Sequence, residues 1–490
     1  MTAPPAGAIA RGDADDGGPA MIRDDAASIW SAAIAAVDPA RLVTTRLAVS
    51  AGGIACDGRP LDPPARLRHA ATVAVIGAGK AAGGLAAGVR DLLARPERGA
   101  VGVARLVGLV SVPAGCGRAL EGIEVRETRA AGANLPTPAV VDATRDMLRV
   151  VAGLGPDDLA IAVIAGGGSA LLAAPPEGVP LEEKIAVTRF LSEAGAGIDE
   201  LNAVRRAASL VKAGGLARAC RAGRLLVLVL SDVIGDPLET IASGPCMPGA
   251  ADPRRALDVL DRFGAVAAGV APRLVRSIAA RAAAEGDAPQ PQPHADDGTW
   301  TTPSGCRVSH LLLGTNATAV AAAARAATAL GYRVEPADPL LAAAGSAEEV
   351  GRRLADAAAA ASRRAAADGV PRAIVAGGEA TVRVPADHGR GGRNQQTVLA
   401  AVAAAVARGG WPEHTVVASI GTDGEDGPTD AAGGVADAAV ADAVARDPAR
   451  LRAALDRCDA HPLLDAAGGL VRTGPTGTNV ADVRIVLAAP

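Results

Sequence analysis

Aromatic side chains are almost absent from this chain. Its 490 residues include two phenylalanines, one tyrosine and three tryptophans, about 1% of the sequence. Proteins that bind single-stranded nucleic acid stack the bases on aromatic rings, so this composition argues against such a partner. The formal net charge is −4 at pH 7, so the chain also lacks the basic excess that attracts nucleic acid or an anionic membrane. We expect neither partner.

Cysteine is scarce and scattered. The six cysteines form no C-x-x-C pair and lie far apart, at Cys56, Cys116, Cys220, Cys246, Cys306 and Cys458. A disulfide framework or a zinc site is therefore not expected. Residues 1–23 lack the apolar run of a signal peptide, and we interpret them as a disordered tail. We expect a cytoplasmic protein.

Long hydrophobic runs are missing as well. The longest uncharged stretch, residues 159–176, contains three consecutive glycines and two prolines, which predicts a strand, a loop and a helix start rather than a membrane span. The chain is long enough for two domains. Residues 284–304 lose periodicity and gather Pro, Gln, Asp and Thr, so we expect a linker or exposed excursion between domains at 24–283 and 305–490.

A lysine-bearing glycine turn follows the first clear strand, residues 72–76. The turn reads Gly77-Ala78-Gly79-Lys80 and leads into a helix, with the spacing G-x-G-x-x-x-G. A dinucleotide fingerprint needs G-x-G-x-x-G and an acid after the next strand, and a Walker loop needs G-x-x-x-x-G-K-[ST], so neither matches. Lys80 is placed to touch a ligand's charge. The alternative is a solvated lysine at a helix start, which the helix dipole disfavours.

A second glycine turn follows the predicted strand 159–165. It reads Gly166-Gly167-Gly168-Ser169, and its backbone amides could hold a phosphate, although a flexible turn has the same composition. Further along, a predicted helix carries Asn202, Arg205 and Arg206 on one face. This face could grip a carboxylate bidentately or could simply be solvated.

An acidic residue stands at the end of the most continuous apolar run. Residues 225–230 predict a central parallel strand, and Asp232 follows it. Ligands bind at the carboxyl ends of strands in open α/β sheets, so Asp232 could order a metal or accept a hydroxyl proton.

The densest group of charged motifs lies between residues 373 and 427. A strand ends at Gly377-Gly378-Glu379, a glycine-rich turn carries Arg393 into a helix, and the next strand, 416–420, is followed by Asp423, Glu425 and Asp426. The N-terminus of a helix suits a phosphate or a carboxylate. Three acids beside arginine favour phosphoryl transfer, whereas a capping turn and a solvated acidic loop are the alternatives for the separate motifs.

Eight blocks along the chain together resemble the class II glycerate 2-kinase family, which joins an N-terminal glycerate-kinase domain to a C-terminal MOFRL domain. Members are often labelled hydroxypyruvate reductase. The resemblance covers about residues 24–490. The blocks are GAGKAA at 77–82, GGGSALL at 166–172, NAVRR at 202–206, SDVIGDPLETIASGP at 231–245, GGE at 377–379, GGRNQ at 391–395, GTDGEDG at 421–427 and TGPTGTNVADV at 473–483.

The resemblance implies two α/β/α domains with mainly parallel sheets, a Rossmann-like N-terminal domain and a MOFRL region at about residues 372–485. It also implies an active site in the cleft between the domains, where ATP and Mg²⁺ phosphorylate D-glycerate at its 2-hydroxyl to give 2-phosphoglycerate. The catalytic cations proposed for the family fall on Lys80 and Arg393. Two positions depart from the family pattern, because Ala133 stands where histidine is common and Gln396 where glutamate is common.

Hypothetical roles follow from this resemblance. Lys80 and Arg393 neutralise the transferred phosphoryl, and Asp232 or Asp423 binds Mg²⁺ or orients the glycerate hydroxyl. Contacts to the nucleotide or its phosphates are assigned to Gly77, Gly79, Gly166, Gly167, Gly168, Ser169 and Glu379, and contacts to glycerate to Asn202, Arg205 and Arg206.

Two other functions stay open. An NAD(P)H-dependent hydroxypyruvate reductase would need a complete dinucleotide fingerprint with its acid, and the sequence supplies neither. A nucleotide-responsive binding or regulatory protein would bind Mg²⁺-ATP without forming ADP in response to glycerate. The sequence does not fix the phosphate-donor preference or the oligomeric state, for which a homodimer is one option.

Overall fold

The computed structural model describes residues 19–50, 53–61, 72–94, 105–130, 135–248, 251–284, 299–342 and 345–490. The strands are β1 Leu47–Ser50, β2 Gly53–Cys56, β3 Arg59–Pro60, β4 Val73–Ala78, β5 Leu106–Pro113, β6 Glu124–Arg129, β7 Leu159–Ala165, β8 Arg224–Leu230, β9 Trp300–Thr301, β10 Arg307–Gly314, β11 Arg333–Glu335, β12 Arg372–Gly378, β13 Thr415–Gly421, β14 Gly433–Ala436, β15 Leu470–Val471 and β16 Asp482–Ala488. The helices are α1 Pro19–Ala36, α2 Pro39–Arg46, α3 Ala82–Ala94, α4 Pro138–Ala152, α5 Gly168–Leu171, α6 Leu181–Glu193, α7 Ile198–Ala207, α8 Gly215–Ala219, α9 Pro253–Arg262, α10 Pro272–Ala284, α11 Asn316–Ala329, α12 Pro339–Ala342, α13 Ala347–Asp368, α14 Arg393–Ala407, α15 Ala438–Ala445, α16 Pro448–Asp456 and α17 Ala460–Ala466.

The first sheet has seven strands in the order β6-β5-β4-β7-β8-β10-β9. All neighbours pair in parallel except the short strand β9, which runs antiparallel to β10. The chain leaves β4 towards one edge and returns beside it with β7, so the strand order reverses between these two strands. This is the doubly wound order of a Rossmann-like domain, as predicted.

Helices cover both faces of this sheet. Along β7, Leu159, Ile161 and Val163 belong to one hydrophobic cluster with α3, whereas Ala160 and Ile164 belong to another with α4. A strand that is buried on both faces has no polar face, which explains why β7 and β8 read as continuous apolar runs.

The second sheet has six strands in the order β11-β12-β16-β13-β14-β15. Only β11 and β12 pair in parallel, because the last strand of the chain, β16, lies antiparallel between β12 and β13. Two α/β domains are therefore confirmed. Mainly parallel pairing holds for the first sheet, whereas most pairings in the second are antiparallel.

The division of the chain between the two sheets differs from our expectation in two places. Strand β10, expected to begin the second domain, pairs with β8 and buries Val308 and Leu313 in the first-sheet core, so that sheet ends at Gly314. Helix α1 begins at Pro19, within the expected tail, and contacts α11, β13 and β16 of the second domain. Tyr332 donates a hydrogen bond from its hydroxyl to Asp25 on α1 at 2.8 Å.

Some sequence predictions concern residues outside the described ranges. Residues 1–18 of the expected tail, residues 285–298 of the expected linker and Ala133 fall there. Within the described ranges, residues 382 and 384 alternate at a strand period but lie outside any named strand. No single helix in these ranges is long and apolar enough to cross a membrane, although α1 from Met21 and α2, bent by 59°, meet the length and composition test as a pair.

Candidate active site

The carboxyl ends of β4 and β7 lie side by side where the strand order reverses. Gly77 and Gly79 have φ values of +152° and +136°, and a Cβ at either position would collide with the carbonyl oxygen of Val163 or Ala165 on β7. Both glycines therefore allow the two strand ends to approach each other. The backbone N–H of Lys80 donates to the carbonyl of Gly166 at 3.0 Å, which fixes the lysine at the switch point.

The side chain of Lys80 connects the two domains. Its ammonium nitrogen lies 2.7 Å from Asp423 Oδ2 and 2.6 Å from Glu425 Oε2, and both carboxylates follow β13 of the second sheet. Burial lowers the pKa of Lys80, but the attraction of Asp423 and Glu425 outweighs it and the net shift of the pKa is upward. Lys80 is therefore a cation in the neutral pH range.

Arg393 is the first residue of α14 and is held by two acids. Its Nε and one terminal nitrogen each donate to Asp482 at 2.9 Å, and the other terminal nitrogen donates to Glu379 Oε1 at 2.6 Å. Asp482 begins β16 and is fully buried. Burial lowers the pKa of Arg393, whereas Asp482 and then Glu379 raise it, and the net direction is upward. The guanidinium has a fixed plane and a fixed charge.

The N-terminus of α14 already holds a carboxylate from the protein. Asp426 accepts hydrogen bonds from the backbone N–H groups of Asn394 at 3.0 Å and Gln395 at 2.9 Å. Burial raises the pKa of Asp426 to about 6, although these backbone hydrogen bonds act in the opposite direction. The anion that we expected at this helix start is therefore Asp426 in this structure, because its loop folds back onto the helix.

Lys80 and Arg393 line one cavity of about 490 Å³, which we call the interdomain cavity. Among the residues that line this cavity, Lys80 belongs to the first domain. The remaining lining residues come from the second domain and are Val382, Val384, His388, Gly389, Gly391, Gly392, Arg393, Asp423, Glu425, Asp426, Gly427, Pro428 and Cys458. Glycine backbone, apolar side chains and both signs of charge therefore surround the same space.

Asp232 lies beside the glycine turn that follows β7. A Cβ on Gly166 would collide with its carboxylate, and Asn479 of the second domain donates to Asp232 Oδ2 at 3.2 Å. Burial, together with the negative charges of Glu379 and Asp423, raises the pKa of Asp232 to about 6. A carboxylate with such a pKa is ionised at neutral pH and still basic enough to accept a proton.

A second cavity of about 340 Å³ lies in the first domain, and we call it the cationic cavity. Its charged lining residues are all basic. They are Arg129 at the end of β6, Lys184 on α6, Arg205 on α7 and Lys212. The other lining residues are Leu135, Pro136, Gly167, Ser169, Ala170, Ile185 and Thr188.

Ser169 is the polar centre of the cationic cavity. Its hydroxyl oxygen lies 2.6 Å from the ammonium of Lys212 and 2.9 Å from a terminal nitrogen of Arg205. Lys212 also donates to the Ser169 carbonyl at 3.0 Å and to the Ser243 hydroxyl at 3.1 Å. The glycine turn after β7 and the arginine face of α7, which we treated as separate motifs, thus form one site.

The remaining residues that we predicted for the site lie either beside these cavities or in the packing around them. Gly167 lies at the boundary, because a Cβ there would be 3.9 Å from Lys80 Cγ and 3.8 Å from a terminal nitrogen of Arg129. Asn202 and Arg206 line neither cavity, and Arg206 donates instead to the backbone carbonyl of Glu239 at 3.0 Å. Gly168 approaches the carbonyl oxygen of Ala78 on β4.

Sequence reasoning missed four charged residues of the site, Arg129, Lys184, Lys212 and Asp482. Asp482 lies within one of the eight resembling blocks, so its block was a signal, but nothing local indicates that it binds Arg393. Lys184 follows two glutamates at the start of α6, a pattern that is typical of a solvated helix end. Its burial depends on α7, which a single segment does not reveal.

The fold and these two cavities define a two-domain α/β protein with a charged site at the domain boundary, where cations and acids can act on anionic substrates. Residues 25–278 match the family model of a domain of unknown function, DUF4147, and residues 372–482 match the MOFRL family.

Curated relatives and a solved structure agree with these matches. The chain is 33% identical to the glycerate kinase of Homo sapiens, over 96% of this chain and 94% of that protein, and 30% identical to the glycerate 2-kinase of Pyrococcus horikoshii, over 95% and 97%. The crystal structure of glycerate kinase from Thermotoga maritima superimposes with a TM-score of 0.73 at 30% identity, covering 96% of this chain and all of that one. The chain belongs to the glycerate kinase family, as its sequence motifs predicted.

Proposed function

We propose that this protein is an ATP-dependent kinase that phosphorylates D-glycerate at its 2-hydroxyl and releases 2-phosphoglycerate and ADP. Membership of the glycerate kinase family supports the substrate pair. The observation that carries the proposal is that Lys80 and Arg393, 313 positions apart in the sequence, line one cavity at the domain boundary. Phosphoryl transfer asks mainly for such cations in fixed positions.

ATP binds in the interdomain cavity in this proposal. Val382, Val384 and Pro428 offer apolar surface to the base, and the backbone of Gly391 and Gly392 lets the phosphates approach closely. Lys80, the lining residue from the first domain, lies next to the Gly167 backbone. The transferred phosphoryl therefore faces the turn of Gly166 to Gly168, and Glu379 positions Arg393 towards it.

Mg²⁺ accompanies ATP in this proposal. Among the described residues, no three His, Cys, Asp or Glu side chains form a group that could hold a metal ion. Mg²⁺ at kinase sites keeps several waters and takes one or two carboxylates beside the substrate phosphates, so Asp423 fits this need and Asp232 stays available as the base. The two carboxylates are near enough for Asp423 to contribute to the raised pKa of Asp232. Bound Mg²⁺ would neutralise phosphate charge.

The chemical step is an in-line displacement. The 2-hydroxyl oxygen of glycerate forms a bond to the γ-phosphorus, the bond to the bridging oxygen breaks, and ADP leaves with the electron pair. Asp232 accepts the hydroxyl proton, for which a pKa of about 6 suits neutral pH. Lys80 and Arg393 hold the equatorial oxygens as charge develops, with little reorganisation because their acid partners already fix them.

The decisive experiment follows ADP formation and NADH oxidation separately with purified protein. ADP that appears only with ATP and D-glycerate together supports the kinase. NADH oxidation with hydroxypyruvate supports the reductase, and binding of Mg²⁺-ATP without glycerate-dependent ADP supports a regulatory protein. Phosphorus NMR of the product distinguishes 2-phosphoglycerate from 3-phosphoglycerate, and the 3-isomer would overturn the proposed regiochemistry.

A cytoplasmic location and a homodimer stay predictions of this proposal. Fractionation of the source cells tests the first, and light scattering of the purified protein tests the second. A monomeric mass across the concentrations used in the kinase assay would refute the homodimer.

A further inference from the structure

Three of the four cations that line the cationic cavity have no acid partner in the part of the chain that the structure describes. Among the described residues, Lys184, Arg205 and Lys212 take part in no ion pair, and Lys184 and Lys212 are only 6% and 2% exposed. Burying a cation without a counter-charge is costly, so such a cluster indicates an anionic ligand. In the interdomain cavity, by contrast, both Lys80 and Arg393 have acid partners.

The hydrogen bonds of these cations show which N–H groups remain available for a ligand. Lys212 directs three hydrogen bonds to Ser169 and Ser243, which uses all the protons of an ammonium group. Lys184 donates to the carbonyls of Arg205 and Ala208, which leaves one proton. Arg205 donates one of its five N–H groups, to Ser169. Arg205 and Lys184 can thus contact a ligand directly, while Lys212 positions Ser169.

We propose that the cationic cavity binds the carboxylate of the 2-hydroxy acid through Arg205 and Lys184, and that this contact selects an acid over a neutral polyol. The inference rests on the proposed kinase function. The cationic cavity, at about 340 Å³, is large enough for a three-carbon acid, whereas the glycine backbone and apolar surface suited to a nucleotide lie in the interdomain cavity. Gly167 lines the cationic cavity and lies beside Lys80, so a hydroxyl next to the bound carboxylate can face the phosphoryl group.

Protonation of the lysines should accompany binding. Burial lowers the pKa of Lys184 to about 7, with Arg205 adding to the effect. Burial also lowers the pKa of Lys212, and the charges of Lys184, Arg205 and Arg206 lower it further. A bound carboxylate attracts protons back onto these amines, so glycerate binding takes up protons and weakens as the pH rises above about 7.

The first test compares D-glycerate with D-glyceramide, the neutral amide of the same shape. Arg205→Ala and Lys184→Met should each lower kcat/KM for glycerate by about 10- to 100-fold, the effect of losing a hydrogen bond to a charged group. The kcat/KM for glyceramide and the KM for ATP should change by less than about threefold. Arg189→Ala, at an exposed position on α6, is the matched control and should leave both acceptors unaffected.

The outcomes separate the inference from its alternatives. An equal fall for glycerate and glyceramide means that the residues only support the fold, and it overturns the proposal. A rise in the KM for ATP with an unchanged KM for glycerate assigns the cavity to a nucleotide phosphate and also overturns it. If wild-type protein forms no ADP with glycerate, the proposed kinase function fails instead.

Calorimetry with glycerate alone provides a test that does not depend on turnover. Titrations in two buffers of different ionisation enthalpy should show net proton uptake near pH 7.5, and Lys184→Met should reduce it. If Lys184→Met does not fold, Arg205→Ala should still abolish most of the glycerate binding. Tight binding of glycerate to Arg205→Ala, or binding without proton uptake in wild type, would contradict the proposal.

Discussion

Lys80 is predicted to serve both as a clamp between the domains and as a catalytic cation, and Lys80→Met separates the two roles. Methionine keeps much of the length of the side chain but removes the charge that Asp423 and Glu425 share. The substitution therefore leaves two neighbouring carboxylates without a cation, in a cavity that we expect to receive the phosphates of ATP.

The clamp predicts a loss of stability, and the catalytic role predicts a loss of turnover. Removing one partner of a fully buried ion pair costs about 3–5 kcal/mol. The side chains here are 21% exposed for Lys80, 14% for Asp423 and 31% for Glu425, so we expect a smaller cost, about 2–3 kcal/mol, seen as a lower Tm. Turnover should fall at least about 100-fold, the cost of losing one electrostatic donor in the transition state.

The assay combines thermal unfolding with ADP formation at saturating ATP and glycerate. In the double variant Lys80→Met with Glu425→Gln, the repulsion between the two acids is removed, so the Tm should recover in part while kcat stays low. Lys80→Arg should keep the clamp and part of the activity. Turnover within about threefold of wild type in Lys80→Met, or recovery of kcat in the double variant, would refute a catalytic role for this cation.

Three further changes test other parts of the site. Asp232→Asn should lower kcat/KM by about 100-fold or more, because an amide cannot accept the hydroxyl proton. It should also remove the fall in activity that we expect for the wild type as the pH drops through about 6, and an unchanged acid limb contradicts the assignment. Arg393→Lys should lower kcat by about 10-fold or more because an ammonium cannot replace the planar pairing with Asp482, and an unaltered kcat argues against a role in transfer. Asp426→Ala should lower the Tm through the loss of about 1–3 kcal/mol of charged capping at α14, measured by calorimetry, and an unchanged Tm shows that another group caps the helix.

Local sequence patterns predicted the strands whose ends are marked by a charged residue or by glycines. Strand β7 was predicted at residues 159–165 and has these limits, because a continuous apolar run is cut by Asp158 on one side and three glycines on the other. The carboxyl ends of β4, β7 and β8 lie along one edge of the sheet, since these strands are parallel neighbours. Lys80 and Asp232 follow two of these strands, and their contacts with a ligand stay predictions.

Long-range pairing could not be predicted in the same way. Nothing in the sequence of β16 shows that it inserts between β12 and β13, because an apolar strand fits an edge or a centre equally well. Its position brings Asp482 to Arg393, so the pairing of this arginine with a buried acid depends on the last strand of the chain. The packing of α1 on the second domain could not be predicted either, because it is also a long-range contact without a local sequence signal.

The N-terminus of α14 shows a different limit. The glycine turn before Arg393 correctly indicated a helix start that holds an anion, but a sequence motif does not distinguish a ligand from a carboxylate of the same chain. Asp426 lies 33 positions after Arg393, and the turn of the acidic loop decides which carboxylate reaches Asn394 and Gln395. The loop that we expected to bind metal thus supplies an internal cap as well as Asp423.

The arrangement of charge in the two cavities suggests a division of work between them. A cation that is already paired with acids, such as Lys80 or Arg393, keeps its charge and its position whether or not a ligand is present, so it can stabilise a transition state without reorganising. Lys184 is buried and has no acid partner among the described residues; burial lowers its pKa to about 7, so it becomes fully charged only when an anion binds. Its contribution therefore falls on binding and on the choice of substrate. On this reasoning, variants of the interdomain cavity change kcat and variants of the cationic cavity change KM for the acceptor, because paired and unpaired cations respond differently to the same negative charge.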